Sequence, residues 1–462
     1  MAKTPFWHVL LFLCLFFPGL GPVVSAQTPQ VPEKNDPYGD LTPYQGISVT
    51  ENRVANETLT GKIMCGYQGW FTAEGDGSGG GWTHYGIQGK FEPGFAAVDL
   101  WPDMSEMDDD EKYPTPFRLA DGSVATVFSS QNPKTVRRHF QWMRDYGLDG
   151  VFLQRFPSFE RAKRLNNVLV DVRRSANETG RCWALMYDLS GQREGTLKSV
   201  VMEDWKRLSD TMKLGKDEND KSYLRHDGKP VVAVWGIGFN DNRRYTLKEC
   251  MDLITFLRED PVYGGFCVMI GVPTYWRDLK IDTVDDPFLH EIIRKADIVS
   301  PWAVDRYHSP EKALEHVTTV TKPDIAWCRE NKVEYLPVVF PGFSWKNLMK
   351  GRNNEAWKTA TEEQKRHSRE VKYNPGIQHP IPRLKGAFLE TQYRGVIDAG
   401  AVMVYQAMFD EIDEATAIFK CANDVPTGAS EFVTYEGLPS DFYLKMVGRW
   451  TKTLREKTSV EE

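Results

Sequence analysis

Short apolar runs recur along this chain with a helix-length amphipathic stretch between most neighbours, and that alternation limits the fold more than any other feature. The runs cover residues 62–67, 150–154, 183–188, 231–235, 266–270, 297–300, 335–340 and 402–405. Each is short enough for a buried strand and too short for a buried helix. The stretches predicted helical are 133–146, 158–175, 200–214, 247–257, 287–295, 322–331 and 385–399. Strands that alternate with helices make a parallel sheet, and eight such units at this spacing make a closed (β/α)8 TIM barrel, an α/β fold. The competing architecture is a doubly wound open sheet. No GxGxxG follows the first run, which weakens its nucleotide-binding version. A ninth run, 95–100, falls in a long Gly-, Asp- and Pro-rich excursion after strand 1, residues 72–132.

The domain layout follows. Lys3, the apolar run 6–20 and the small residues Val24-Ser25-Ala26 predict a cleaved secretion signal over 1–26, and with it a secreted or periplasmic protein. Residues 27–55 are polar and read as a linker or surface wrap. The barrel is expected over 56–456, with a short tail at 457–462. No later apolar stretch is long enough to span a bilayer. The net charge of −7, with no basic run, argues against a nucleic-acid partner. Outside the signal, Cys65, Cys182, Cys250, Cys267, Cys328 and Cys421 are scattered without a CxxC pair, so no zinc site is expected and the thiols read as buried. Asp108-Asp109-Asp110-Glu111 lacks calcium-loop spacing and reads as a solvated charge run. No metal or cofactor is expected, and the protein is taken as a monomer. Asn56-Glu57-Thr58 and Asn177-Glu178-Thr179 match glycosylation sequons.

Barrel enzymes carry their sites at the C-terminal ends of the strands. Those ends hold Tyr67 and Trp70, Gln154 and Arg155, Tyr187 and Asp188, Trp235 and Asn240, Tyr275, Trp302 and Phe343. Nearly every end pairs an aromatic ring with a hydrogen-bonding group, a composition suited to stacking on sugar faces and binding their hydroxyls. Competing roles exist: Arg155 could pair with a buried acid, and Asp188 or Asp241 could cap a helix. His84 and His308 are either polar contacts or satisfied loop residues. The last run ends in four acids within five residues: Asp410, Glu411, Asp413 and Glu414. Unpaired carboxylates are costly to bury, so the acids belong where the strand meets a cleft. On a helical turn Glu411 and Glu414 would share one face. Two carboxyls in one cleft supply the acid and the base or nucleophile of glycosidic cleavage, with Asp410 beside them. A solvated acidic turn is the plainer alternative.

Glu411-Ile412-Asp413-Glu414-Ala415-Thr416 resembles the E-W-H-E-G-T pattern that ends the last strand in glycoside hydrolase family 99, the endo-α-mannosidase and mannanase group. Phe340-Pro341-Gly342-Phe343 is similar to that family's Gly-Pro-Gly-Tyr strand end. The stretches 98–105, 187–191 and 233–244 resemble bacterial secreted proteins labelled family 71/99-like or xylosidase/arabinosidase. The resemblance implies a retaining hydrolase in which Glu411 deprotonates the sugar 2-OH and Glu414 is the acid/base. It also implies a Glu414 whose surroundings raise its pKa. The chain departs from the pattern at Ile412, Asp413 and Ala415, which replace Trp, His and Gly. The expected protein is a secreted retaining glycoside hydrolase acting on a poly- or oligosaccharide. The alternatives are a non-catalytic glycan-binding barrel, or a polysaccharide lyase if Arg155 or Lys346 faces the cleft.

Overall fold

The computed structural model describes residues 36–349 and 380–461. The expected signal at 1–26 and the first part of the 27–55 segment lie outside the described residues. All eight apolar runs form barrel strands: β1 (Ile63–Tyr67), β2 (Gly150–Arg155), β3 (Cys182–Asp188), β4 (Lys229–Trp235), β5 (Cys267–Pro273), β6 (Ile298–Trp302), β7 (Glu334–Tyr335 and Val338–Val339) and β8 (Val404–Gln406). Neighbours pair in parallel from β1 round to β6, and β8 pairs with β1. β7 closes the ring by changing partner midway: its first half pairs with β6 and its second with β8. Leu336 N donates to Val299 O, and Tyr405 N donates to Pro337 O, both at 2.9 Å. Pro337 has no N–H to offer, and the handover falls at that residue.

The register fixes which side chains fill the barrel. Gly66 pairs with Phe152, Phe152 with Ala184, and Met186 with Ala233. The Phe152 and Tyr405 rings stack at 5.8 Å. A Cβ at Gly66 would meet Tyr405 Oη and Met408 at 2.2 Å, so only glycine admits these two side chains there.

The helices form the outer layer: α1 (Pro133–Tyr146), α2 (Ala162–Thr179), α3 (Glu203–Met212), α4 (Leu247–Glu259), α5 (Phe288–Lys295), α6 (Pro310–His316), α7 (Lys322–Asn331), α8 (Ala387–Asp398) and α9 (Phe442–Glu461). α1 matches its predicted span because both ends are marked. Asn132 caps it ahead of Pro133, and Gly147 ends it at φ 78°. α6 was not expected. The helix expected over 322–331 is present, yet the chain is helical from Pro310, and a π-helical stretch at Val317–Thr321 leads into α7. α9 runs through the expected 457–462 tail as far as Glu461, so most of that tail is helix.

Residues 36–55 run along the outside of α2 and α3. Tyr38 Oη donates to Asp204 Oδ1 at 2.5 Å, Arg173 Nη2 to Thr42 O at 2.8 Å, and Val54 N to Gly180 O at 2.9 Å. The excursion holds a hairpin of its own, Tyr113–Arg118 with Val124–Val127, and the 95–100 run stays out of the barrel. All six cysteines named above are buried free thiols. Both sequon asparagines are buried, and their amides are engaged: Asn56 Nδ2 with Tyr223 O at 2.7 Å, and Asn177 Nδ2 with Asp220 Oδ1 at 2.7 Å. Among the described residues no helix is long and apolar enough to cross a membrane.

Candidate active site

Side chains alternate along a strand between the barrel interior and the layer beneath the helices. Gly66 faces inward, so the register turns Gln154 and Asp188 inward and their neighbours Tyr67, Arg155 and Tyr187 outward. This corrects three expected sugar contacts. Arg155 gives Nε to Asp204 Oδ2 at 2.7 Å and Nη2 to Asp204 Oδ1 at 2.6 Å, and Tyr187 Oη donates to Asp204 Oδ2 at 2.6 Å. Tyr67 Oη lies 2.9 Å from His139 Nδ1 on α1. All three are buried and structural.

The acids do sit where the last strand stops. Beyond β8 the chain makes a turn at 412–415, not a helix, and doubles back: Phe419 N donates to Phe409 O and Ala417 N to Glu411 O, both at 3.0 Å. Two outside elements brace the turn. Asp99 N and Leu100 N from the excursion donate to Ile412 O at 2.9 and 3.1 Å. Arg383 Nη2 donates to Ala415 O and Ala417 O at 2.9 and 2.7 Å, its guanidinium lying 4.6 Å from the Tyr435 ring. The Ile412 side chain is fully buried and contributes to the core.

Within this frame each carboxyl has its own environment. Asp410 is buried with both oxygens engaged, accepting from Gln68 N at 2.8 Å and Gly69 N at 2.9 Å. Burial pushes it up to about 7 despite those amides. It clamps the end of β1, which replaces its expected role as a sugar contact. Glu411 accepts from Gln68 Nε2 at 2.6 Å and from Thr416 Oγ1 at 2.8 Å. Burial first, then the charges of Glu414 and Asp413, push the Glu411 carboxyl well above the usual range. Like charges this close oppose ionisation of both carboxyls together. Glu414 is less buried than Glu411.

Several predicted residues meet at this mouth. Gln154 Nε2 lies 3.8 Å from Met408 Sδ. The Trp235 and Trp302 rings meet edge to face at 5.6 Å, and Trp302 lies 6.2 Å from Tyr405. Asp188 Oδ1 accepts from Ser190 N at 2.7 Å, and burial pushes it up to about 6. Gln68 Oε1, Gln154 Oε1, Trp70 Nε1 and Trp235 Nε1 are buried without a hydrogen-bond partner among the described residues. Unpaired buried polar atoms are costly, and at the mouth of a barrel they suit a hydroxyl-rich ligand. Trp70 is partly covered: His84 stacks on it at 3.7 Å with planes 4° apart, and Phe156 lies 5.4 Å away. Tyr275 is half-buried, Asn240 is exposed, and Phe343 is buried 5.2 Å from Trp345. Gln68 and Thr416 were not singled out as site residues from sequence, His84 was weighed as a polar contact or a loop residue, and Asp413 entered only as one of the four acids. For Gln68 the signal was strand parity.

Among the described residues, two clusters of ligand-type side chains that could hold an ion lie elsewhere. His226 Nε2 meets Glu334 Oε1 at 2.7 Å beside Asp227, and Asp108 and Asp110 are paired with Lys134 next to Glu111.

No protein-family model matches the chain, and neither does any curated protein. Solved structures do. The GH99 endo-α-mannosidase of Bacteroides thetaiotaomicron is similar in two structures, one of them in complex with Bis-Tris propane. Their TM-scores are 0.57 and 0.58 at 16% and 14% identity, covering 87% of this chain and 100% of the mannosidase. A GH5_18 protein from Streptomyces cattleya in complex with GlcNAc is more distant, with TM-score 0.40 and 13% identity over 72% of this chain and 76% of that one. The chain thus shares its (β/α)8 fold with the GH99 endo-α-mannosidase of B. thetaiotaomicron, along nearly nine-tenths of its length.

Proposed function

We propose that this protein is a retaining glycoside hydrolase with Glu411 and Glu414 as its catalytic pair. The observation that carries the reading is the environment of Glu411. It is a desolvated carboxyl held by Gln68 and Thr416, raised by its neighbours Glu414 and Asp413, and set at the C-terminal mouth of a barrel. Glycosidic cleavage needs one carboxyl protonated and one ionised at the same pH, and two neighbouring acids in different surroundings, one raised by burial, suit that division. Gln154, Asp188, Trp235 and Trp302 would bind the sugar. The fold shared with a GH99 endo-α-mannosidase supports the same class of reaction.

The resemblance assigns Glu411 to the sugar 2-OH and Glu414 to the leaving oxygen, whereas the carboxyl raised by burial here is Glu411, which must therefore ionise before it acts as base. Glu414, the more exposed member, is the better placed of the two to meet a departing group. The N-terminal pattern over 1–26 supports export. N-terminal sequencing of the mature protein tests that, and a start at Met1 would contradict it.

The lyase alternative loses its support, because Arg155 is buried against Asp204 and Lys346 pairs with Glu431 on the surface. A reducing-sugar screen on plant, algal and yeast polysaccharides tests the hydrolase reading. Release of reducing ends without ultraviolet absorbance is expected. Unsaturated products, or tight binding with no release on any glycan the protein retains, would contradict it.

A further inference from the structure

Asp413 stands between the two glutamates in the turn, and its partner comes from 329 residues away. His84 Nδ1 donates to Asp413 Oδ2 at 3.1 Å. The Asp413 side chain is 3% exposed and that of His84 30%. Asp413 Oδ1 is buried with no hydrogen-bond partner among the described residues, so His84 carries most of what compensates this carboxylate for leaving water.

The imidazole is held on purpose-built ground. Its backbone is left-handed, at φ 65°, which is uncommon for a residue with a side chain. Its ring lies flat on Trp70 at 3.7 Å and meets the edge of Phe71 at 6.1 Å. The Trp70–His84 stack fixes the plane of the ring, and that plane aims Nδ1 at Asp413. Those two packing partners are uncharged. The charged group in contact with His84 is Asp413, and Glu411, Glu414 and Asp410 lie on the same segment as that acid.

We infer that His84 is a positioning residue for the Glu411–Glu414 pair, acting through Asp413, and that its proton sets how much negative charge the pair experiences. The inference rests on the hydrolase reading above. Histidine is the side chain whose charge ordinarily changes between pH 5 and 8. With His84 charged, Asp413 is neutralised and the pair ionises at lower pH. With His84 neutral, the Asp413 charge opposes ionisation of the pair, in keeping with its place among the causes that raise Glu411. The turn would thus carry a counter-charge in acid, where Glu414 or Glu411 must ionise for the base to be ready.

The pH profile of kcat/KM in His84→Asn and His84→Ala tests this. Asparagine keeps an N–H donor near Nδ1 but takes up no proton. His84→Ala leaves Asp413 unpaired and is expected to lower plateau kcat/KM by about tenfold or more, the scale of a lost buried hydrogen bond to a charged group. His84→Asn should recover most of that loss, yet its acid limb should move up by about half a pH unit or more, as expected for removing one charge several ångströms away. An unmoved acid limb in His84→Asn would overturn the proposal, as would an equal fall in both variants with no change in profile shape. A second measurement needs no turnover: ¹⁵N NMR of the His84 ring. The Nδ1–H tautomer is expected, with a titration midpoint that falls in the Glu411→Gln/Glu414→Gln double variant. An unchanged midpoint would refute the coupling. Glycan cleavage that survives in both single carboxyl variants would instead sink the hydrolase reading, and the NMR result would still decide the coupling.

Discussion

Gln68 Nε2 reaches Glu411 Oε1 at 2.6 Å, while the backbone N–H of the same Gln68 is held by Asp410 at 2.8 Å. One residue at the end of the first strand is therefore tied to two consecutive acids after the last. The barrel closes between β1 and β8, and this link ties that closure to the acidic turn.

Replacing Gln68 with Leu keeps the bulk and removes the donor. The bond from Gln68 favours the ionised form of Glu411, so its loss raises that carboxyl further. We expect kcat/KM to fall by about 10- to 100-fold, the scale of a charge-assisted hydrogen bond, with the acid limb of the profile moved to higher pH. A pH–rate profile checks both. An unshifted limb would remove Gln68 from the account.

Arg155 should behave as a structural residue. It and Asp204 are 2% and 4% exposed, and Arg155→Met leaves Asp204 charged and short of its partner. A loss of about 3–5 kcal/mol is expected in denaturant unfolding, as for other broken buried pairs. Glycan affinity of the folded fraction should stay near the parent's.

Ala415 follows Glu414 with φ at 52°, in the left-handed region that costs a residue with a Cβ. Ala415→Gly should relieve that strain and stabilise the fold by roughly 0.5–1 kcal/mol, the unfolded chain's added freedom offsetting part of the gain. A lower melting temperature in this variant would contradict the turn geometry.

Stability should depend on pH in an unusual direction. Burial pushes Asp99, Asp188 and Asp220 up to about 6, and Asp324 and Asp410 up to about 7, from an ordinary 3.8. The folded state thus holds protons that the unfolded chain has lost. The stability from these groups is fully present below about pH 4 and is lost as pH rises through 6 to 7. His139 and His316 oppose this. Burial lowers them to about 3 and about 4, so their contribution is complete above about 6.5 and declines as pH falls toward those values. The raised carboxyls outnumber the lowered histidines, and the melting temperature should be higher at pH 5 than at pH 8. The reverse order would contradict the burial of these carboxyls.

The barrel was legible because its signals are local. Eight runs of β-formers sit between helices whose ends carry their own marks, such as Asn132 and Gly147 around α1. α6 is a short helix of seven residues that a π-helical stretch joins to α7, and no apolar period marks it off in the sequence. The acidic cluster at the end of the last strand was legible from its composition. What failed was reading every polar residue near a strand end as a cleft residue. Strand parity separates Gln154 from Arg155 and Asp188 from Tyr187, and it was available in the sequence once the small Gly66 marked the inner face. The His84–Asp413 contact was not available, because only the folded excursion brings those residues together. Between the two glutamates this chain carries an acid, and an imidazole reaches it from the excursion.

Turnover of Glu411→Gln and Glu414→Gln on a glycan that the parent cleaves tests the central claim most directly. We expect kcat to drop by about a thousandfold or more in each, with the circular dichroism of the parent retained. Glu414→Gln should recover on glycosides whose leaving group needs no proton, and Glu411→Gln should not. Near-parental rates in both variants would contradict the account.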